Sequence, residues 1–519
     1  MRHLKRAVRA TVLGAVASSA IVAGALAETT FIVAVPSDPG QFNPAITTGA
    51  HVHAVADSMF NGLVALDETL SPIPDLATEW TVSEDGTTYE FKLAEATWHD
   101  GTPVTSADVK FTFEDVLFQH HARTKSGLSD VVTGIETPDP RTVVFRLSAP
   151  HPALLRRFDV TEAPILPKHL YEGAGDPTEA AQNANPIGTG PYRFVSHAPG
   201  DRVVLEKNAD YFKGDTSDAD RVVFRIIQDA ETALLAFERG EVDYIPRIGG
   251  QNIGRAEAAG QVLTATAGPG GGNCIMTVSF NLERALLQSA DLRRAVAQGI
   301  DRDRLNEQVL FGRGNVANAP FSSAIGWAHA EEALSALTHD PEAAMAALDA
   351  AGLAPDADNI RAEIDMVHFP TFSKYAELMA QDLAEVGIKL TSRPLDRPAA
   401  IDAIFKERDF DTNLISYCNG VDPEIGIKRM YVSDNIGPIP FSNASAYRND
   451  KIDALFAVAG STADQDERAE AYGDIQAILA ADLPYFWLVE TVRITAASDR
   501  FTGYRPWTGH YLETLRLVE

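Results

Sequence analysis

Thirteen histidines, two cysteines and 72 acidic residues are the side chains of this 519-residue chain with the most chemistry to offer. His51-Val52-His53 and His120-His121 are the histidine pairs, and paired imidazoles invite a metal-site reading. A helical metal face needs histidines at i and i+4 with an acidic partner, as in H-E-x-x-H. Neither pair has that spacing, and no acidic ligand is read beside them, so both are taken as solvated or core histidines and no metal site is expected. There is no G-x-S-x-G nucleophile elbow and no H-E-x-x-H. Gly268–Gly272 has the glycine content of a phosphate loop but lacks the Lys-Ser/Thr, and Gly312-Arg313-Gly314 is a chance G-x-G. Paired carboxylates carry little information in so acidic a chain. A secreted hydrolase therefore stands as an alternative without a motif, and neither an enzyme nor a cofactor is expected. Cys274 and Cys418 form an even pair, a disulfide in an oxidising compartment or two buried thiols otherwise, and spacing leaves both open.

The compartment is read from the amino terminus. Arg2, Lys5, Arg6 and Arg9 precede an apolar run from Ala10 to Ala25, which closes on Ala25-Leu26-Ala27 before Glu28. A basic start, a short Ala-rich run and small residues at −3 and −1 predict a secretory signal peptide over 1–27. The run is too short for a spanning helix, which needs ~20 apolar residues. Losing its four cations takes the net charge from −28 to −32. Such a chain repels phosphate backbones and anionic lipid, so nucleic acid and membrane surfaces are poor partners. The roughly 490 residues that remain exceed one core, and two or three domains are expected.

Along the chain, Thr29–Val35 reads as a strand and Val52–Leu66 has helical spacing. Hairpins are predicted about Glu84-Asp85-Gly86, Pro138-Asp139-Pro140 and Pro199-Gly200-Asp201, with a helix from Ala107 to Phe118 capped by Thr105 or Ser106. Then the pattern changes. The strand Arg221–Ile227, the helix Glu231–Arg239 and the strand Val242–Ile245 make a βαβ unit. The glycine run Gly268–Gly272 reads as a crossing between domains, followed by the strand Cys274–Phe280. Helices and strands alternate from there to the aromatic strand Tyr485–Glu490. Two α/β lobes joined by crossings make a cleft, and open α/β sheets bind ligands at such edges.

LAEATWHDGTPVTSADVKFTFEDV at Leu93–Val116 resembles the central pattern of the family 5 extracellular solute-binding proteins, the peptide and nickel binders of ABC transporters. Met59–Leu66 (MFNGLVAL), Pro72–Trp80 (PIPDLATEW), Pro186–Phe194 (PIGTGPYRF) and Leu292–Leu305 (LRRAVAQGIDRDRL) are similar to further segments of that family, in order. The resemblance implies an α/β fold of the periplasmic binding protein type II, cluster C-like: two lobes with a hinge plus an inserted strand-rich domain. Lobe I would take 28–72 with 186–270 and 492–519, the inserted domain II 73–185, and lobe III 271–491. It implies a monomer that captures a peptide or peptide-like solute in the periplasm and delivers it to an inner-membrane permease and ATPase. A sensor or chaperone module of the same fold is the other possibility.

The same resemblance implies site residues. Peptide binders carry an Asp for the ligand α-amine two residues past the position of Cys418; here Gly420 stands there, and Asp422, before Pro423, is the candidate replacement. Ordinary peptides are thereby in question, and opines, glycosyl conjugates or metal chelates become alternatives. Arg429 is a candidate partner for a ligand carboxylate, or half of a surface ion pair. Trp327, Tyr417 and Asn419 are candidates for the cleft wall, or core residues. Ser37, Gln41 and Asn61 lie in loops that the family places at the cleft rim. Some members bridge the strand opening lobe III to the ligand loop, which implies a Cys274–Cys418 disulfide.

Overall fold

The computed structural model describes residues 28–265, 273–506 and 509–518. The signal segment and the glycine run Gly268–Gly272 lie outside the described residues.

A seven-stranded sheet is built around β1 (Thr30–Val35), whose parallel neighbours are β2 (Arg221–Ile226) and β3 (Tyr244–Ile245). The βαβ unit is present, but its helix, Ala230–Glu238, carries the chain over β1, so β2 and β3 flank β1 instead of pairing with each other. β4 (Gln261–Ala265) extends the sheet on the far side of a strand contributed by the carboxyl-terminal region. The hairpin Tyr192–Ala198/Arg202–Lys207 completes the other edge. A separate four-stranded sheet holds the two earlier hairpins, Ala77–Val82 with Thr88–Leu93 and Val132–Asp139 with Thr142–Leu147. Its inward Phe91 and Phe145 share one buried core with Phe31, Tyr192 and Phe224 of the larger sheet, so both sheets belong to one lobe.

The second lobe has a six-stranded sheet. At its centre β5 (Cys274–Phe280) lies antiparallel between β6 (Thr412–Cys418) and β7 (Tyr485–Thr491). All but the first residue of β5 and all but the last of β7 are buried. This is the near-continuous apolar pattern of a strand covered on both faces. β8 (Arg493–Ala497) then returns to the first sheet, between β3 and β4.

The helix from Ser106 starts on a capping box in which Thr105 and Asp108 satisfy each other's exposed amides, and it continues through a π-helical stretch, Thr112–Leu117. The expectation of a helix over Val52–Leu66 is corrected. The helix stops at Ala56, and Val64–Leu66 is a strand. Between them the backbone is claimed by distant chain: Met59 O accepts from Gly190 N at 2.9 Å, Asn61 O from Ile165 N at 2.9 Å, and Phe158 O from Val64 N at 3.1 Å. Tertiary hydrogen bonds outweigh local periodicity here. The G-T-G-P-Y loop explains itself at this contact. A Cβ on Gly188 would lie 1.8 Å from Met59 O, and one on Gly190 2.5 Å from Met59 C, so only glycine admits the approach.

Candidate functional site

The second lobe is entered and left at one place. Ala265, ending β4, pairs with Arg493, starting β8; Cys274, starting β5, pairs with Thr491, ending β7. Val492 is thus the whole of the return crossing. The Thr491 hydroxyl donates to Cys274 O at 3.1 Å, and Cys274 and Cys418, directly opposed in the ladder, are joined as a disulfide.

Beside these crossings lies a cavity of about 560 Å³. It sits where open parallel sheets take ligands, at the carboxyl ends of β1, β2 and β3. Ala34–Ser37, Ile227–Gln228 and Tyr244–Arg247 form its floor, while Ala50, His51 and Ala54 close one side. Arg493 and Tyr511 complete it from the crossing and the carboxyl-terminal region. Tyr244 stacks between Tyr504 and Tyr511, with ring centroids at 5.7 and 5.4 Å. Burial, with the like charge of Arg247 nearby, lowers the Arg493 pKa. His53, also in the wall, holds Asp57 through Nδ1 at 2.8 Å and Thr47 O through Nε2 at 3.0 Å. Burial opposes its charge, but Asp57 outweighs burial and raises its pKa. The acidic neighbour not read from sequence is therefore Asp57, four residues on. His121 bonds Thr124 Oγ1 at 2.7 Å, and burial lowers its pKa to about 3.

The lobes also touch on either side of the crossings. Towards the edge strand Asn315–Val316, Arg313 pairs with Glu257 of the first lobe. Beyond β6, Asp422 is fully buried and accepts from Arg468 Nη2 and Nη1 at 2.6 and 3.0 Å, and from Arg156 Nη1 of the first lobe at 3.2 Å. Arg156 also donates to Leu70 O at 3.1 Å and to Gln465 Oε1 at 3.3 Å. Both guanidiniums lie over Trp327, 4.6 and 4.8 Å from its ring centroid. Burial lowers the pKa of Arg156, whereas the bidentate contact with Asp422 overcomes burial and raises that of Arg468.

The residues singled out from sequence are therefore dispersed. Ser37 lines the cavity. Gln41 turns back on the backbone of Asn43. Asn61 is buried in the first lobe, donating to Asp75 at 2.8 Å and accepting from Thr189 at 2.9 Å. Tyr417 is core, fully buried and edge-on to Phe441 and Tyr485. Asn419 accepts from Ser322 N at 2.7 Å and braces its own loop. Arg429 donates to Gly426 O at 3.1 Å and to Cys418 O at 3.4 Å. Asp422 is corrected as an amine anchor: both its oxygens are held by arginines of the protein. Arg247, Arg493, Tyr244 and Tyr511 were not read from the sequence. The available signal was an arginine two residues past the last strand of the second lobe, and another just after the proline that follows β3.

The description bacterial extracellular solute-binding proteins, family 5 Middle, matches residues 71–437. A Brucella ovis relative, whose name assigns it provisionally to ABC-transporter peptide binding, is 29% identical over 486 residues, covering 90% of this chain and 88% of its own. Heme-binding protein A of Haemophilus influenzae is 26% identical, covering 92% and 89%. Among solved structures, the ABC transporter substrate-binding protein CtaP of Listeria monocytogenes is similar over 95% of this chain and all of its own, with a TM-score of 0.79 and 27% identity. The two-lobed α/β architecture and a family match spanning most of the length agree: the chain belongs to the family 5 bacterial extracellular solute-binding proteins.

Proposed function

We propose that this chain, exported and freed of residues 1–27, is the periplasmic solute-capturing component of an ABC importer. A peptide-like solute enters between the lobes, the lobes close on it, and the closed monomer delivers it to the permease and ATPase without making or breaking a bond. The observation that carries this reading is the cavity beside the chain crossings, lined here by the first lobe alone, against which closure would bring the second lobe. About 560 Å³ suits a small solute. A solute of micromolar affinity supplies about 8 kcal/mol, ample to trap a closed state a few kcal/mol uphill. The relatives named for ABC-transporter peptide and substrate binding support transport over sensing.

The experiment is a thermal-shift screen of peptides, opines and sugar conjugates, with each hit followed by small-angle scattering. A hit that raises Tm and shrinks the radius supports capture between lobes. A hit that leaves the radius unchanged and contacts one lobe overturns it, as would turnover of chromogenic esters, peptides or glycosides. A non-peptide solute is the second reading, favoured by the engagement of Asp422 with Arg468 and Arg156.

A further inference from the structure

We propose that the cavity selects a small organic anion, a carboxylate on an apolar or aromatic body that needs no free ammonium group, with Arg247 and Arg493 as its anchors. The proposal rests on the cavity being the solute site, and narrows what that site takes.

Charge sorting is the first argument. The whole chain carries a net charge of −28, yet among the described residues lining the cavity there is no Asp or Glu, while two arginines are present. With Asp and Glu outnumbering Lys and Arg by 72 to 44, a wall of this sign runs against the composition. Placing two guanidiniums at one cavity raises their mutual repulsion, and an anion between them relieves it. Of the acidic residues next to lining positions, Asp57 is bonded to His53, Asp229 caps its helix by accepting from Thr232, and Glu231 pairs with Arg255.

The second argument is the fate of the carboxylates at the second lobe's end of the crossings. The described residues lining the cavity offer no carboxylate to a solute ammonium, so one would have to come from the second lobe on closure. Asp422 is held by Arg468 and Arg156. Glu424 is taken by Lys428 at 2.8 Å and by the Tyr472 hydroxyl at 3.3 Å. Glu490 accepts from both the amide and the hydroxyl of Ser323. Each is already matched by donors of the protein. The remaining wall, with Val35, Ile227, Ile245 and the Tyr244–Tyr511 stack, is apolar and aromatic. Guanidinium forks orient a planar carboxylate, and the aromatic wall takes the body attached to it.

The test uses the purified full chain and matched probes: dipeptides of Ala, Leu, Phe and Glu, each with a free or acetylated amine and a free or amidated carboxyl, together with N-benzoylglycine and its amide. Calorimetry and scattering are read for each. The expected result is that acids bind and shrink the radius, that amidation weakens binding about ten-fold or more, and that acetylation changes it little. Arg247→Gln, at an exposed position, is expected to weaken the acids while leaving the ligand-free Tm in place, and Arg493→Lys, which keeps the charge but loses the fork, is expected to weaken the acids more than their amides. Amides that bind as well as acids, binding that requires the free amine, or variants that retain full affinity would overturn the anion assignment and leave solute capture standing. If no probe binds, the anion assignment falls, and solute capture is decided separately by the wider thermal-shift screen.

Discussion

Arg156 of the first lobe and Asp422 of the second meet across the gap between them, guanidinium nitrogen to carboxylate oxygen at 3.2 Å, both buried. Asp422 keeps a second, bidentate partner in its own lobe, Arg468. Arg156 has none of that security: its other protein contacts are Leu70 O, Gln465 and the Trp327 ring. The pair therefore ties the lobes together at the cost of desolvating two arginines for one carboxylate.

Removing the crossing member should loosen the lobes more than it unfolds them. Arg156→Leu is expected to cost about 1–3 kcal/mol, because Asp422 stays paired with Arg468, and to enlarge the scattering radius of the ligand-free protein. Asp422→Asn leaves two buried guanidiniums facing one neutral amide and should cost about 3–5 kcal/mol. Equal losses in denaturant melts, with no change of radius for Arg156→Leu, would remove the tie from the account.

The Cys274–Cys418 bridge closes a chain separation of 144 residues next to the crossings. Thiol titration in denaturant without reductant should find no free thiol. Cys274→Ser with Cys418→Ser should lower stability by about 2–4 kcal/mol. Two titratable thiols would show that the native protein leaves the cysteines unbridged.

Acid should destabilise the fold through His121. Its folded pKa, about 3, lies below the unfolded value of 6.5, so between those values the unfolded chain binds the extra proton. Its contribution is complete above pH 6.5 and is lost as pH falls, at up to ~1.4 kcal/mol per pH unit. His53 acts oppositely: its raised folded pKa adds stability that is full below pH 6.5 and fades as pH rises through the folded value. Urea melts from pH 7 to pH 4 should be flatter for His121→Gln than for the parent; an unchanged slope would assign the acid sensitivity elsewhere.

Gly188 should not tolerate even alanine. The added methyl meets the carbonyl of Met59, which is already hydrogen-bonded to Gly190 and has no room to retreat. Gly188→Ala is expected to cost about 2–3 kcal/mol in chemical denaturation, whereas Gly437→Ala, with open space around it, should be near neutral. Equal costs at the two positions would contradict the close approach.

Much of the architecture was legible where local chemistry is decisive. Asp85-Gly86, Pro138-Asp139 and Pro199-Gly200 mark turns whose flanking strands pair as the alternation says. The Thr105–Asp108 start is written in four adjacent residues. Legibility failed where the deciding partner is far along the chain. Val52–Leu66 reads as one helix until Gly190, Phe158 and Ile165 take its backbone groups. Asp422 looks like an available anchor because its arginines stand 46 and 266 positions away. Arg468 did leave a trace, since it falls in phase with Tyr472, Ile475 and Leu479 on the buried face of its helix, where a lone cation needs a buried partner.

Val492 is the entire return path between the lobes, and this has a mechanical outcome. A link one residue long permits bending but little sliding or separation, so the proposed closure would be a rotation about an axis near Val492. The cavity lies close to that axis and the outer rims lie far from it. On the proposed closure, a guest's slight shift of the walls near the pivot would become a large displacement at the perimeter, where a docking partner would sense it without touching the guest.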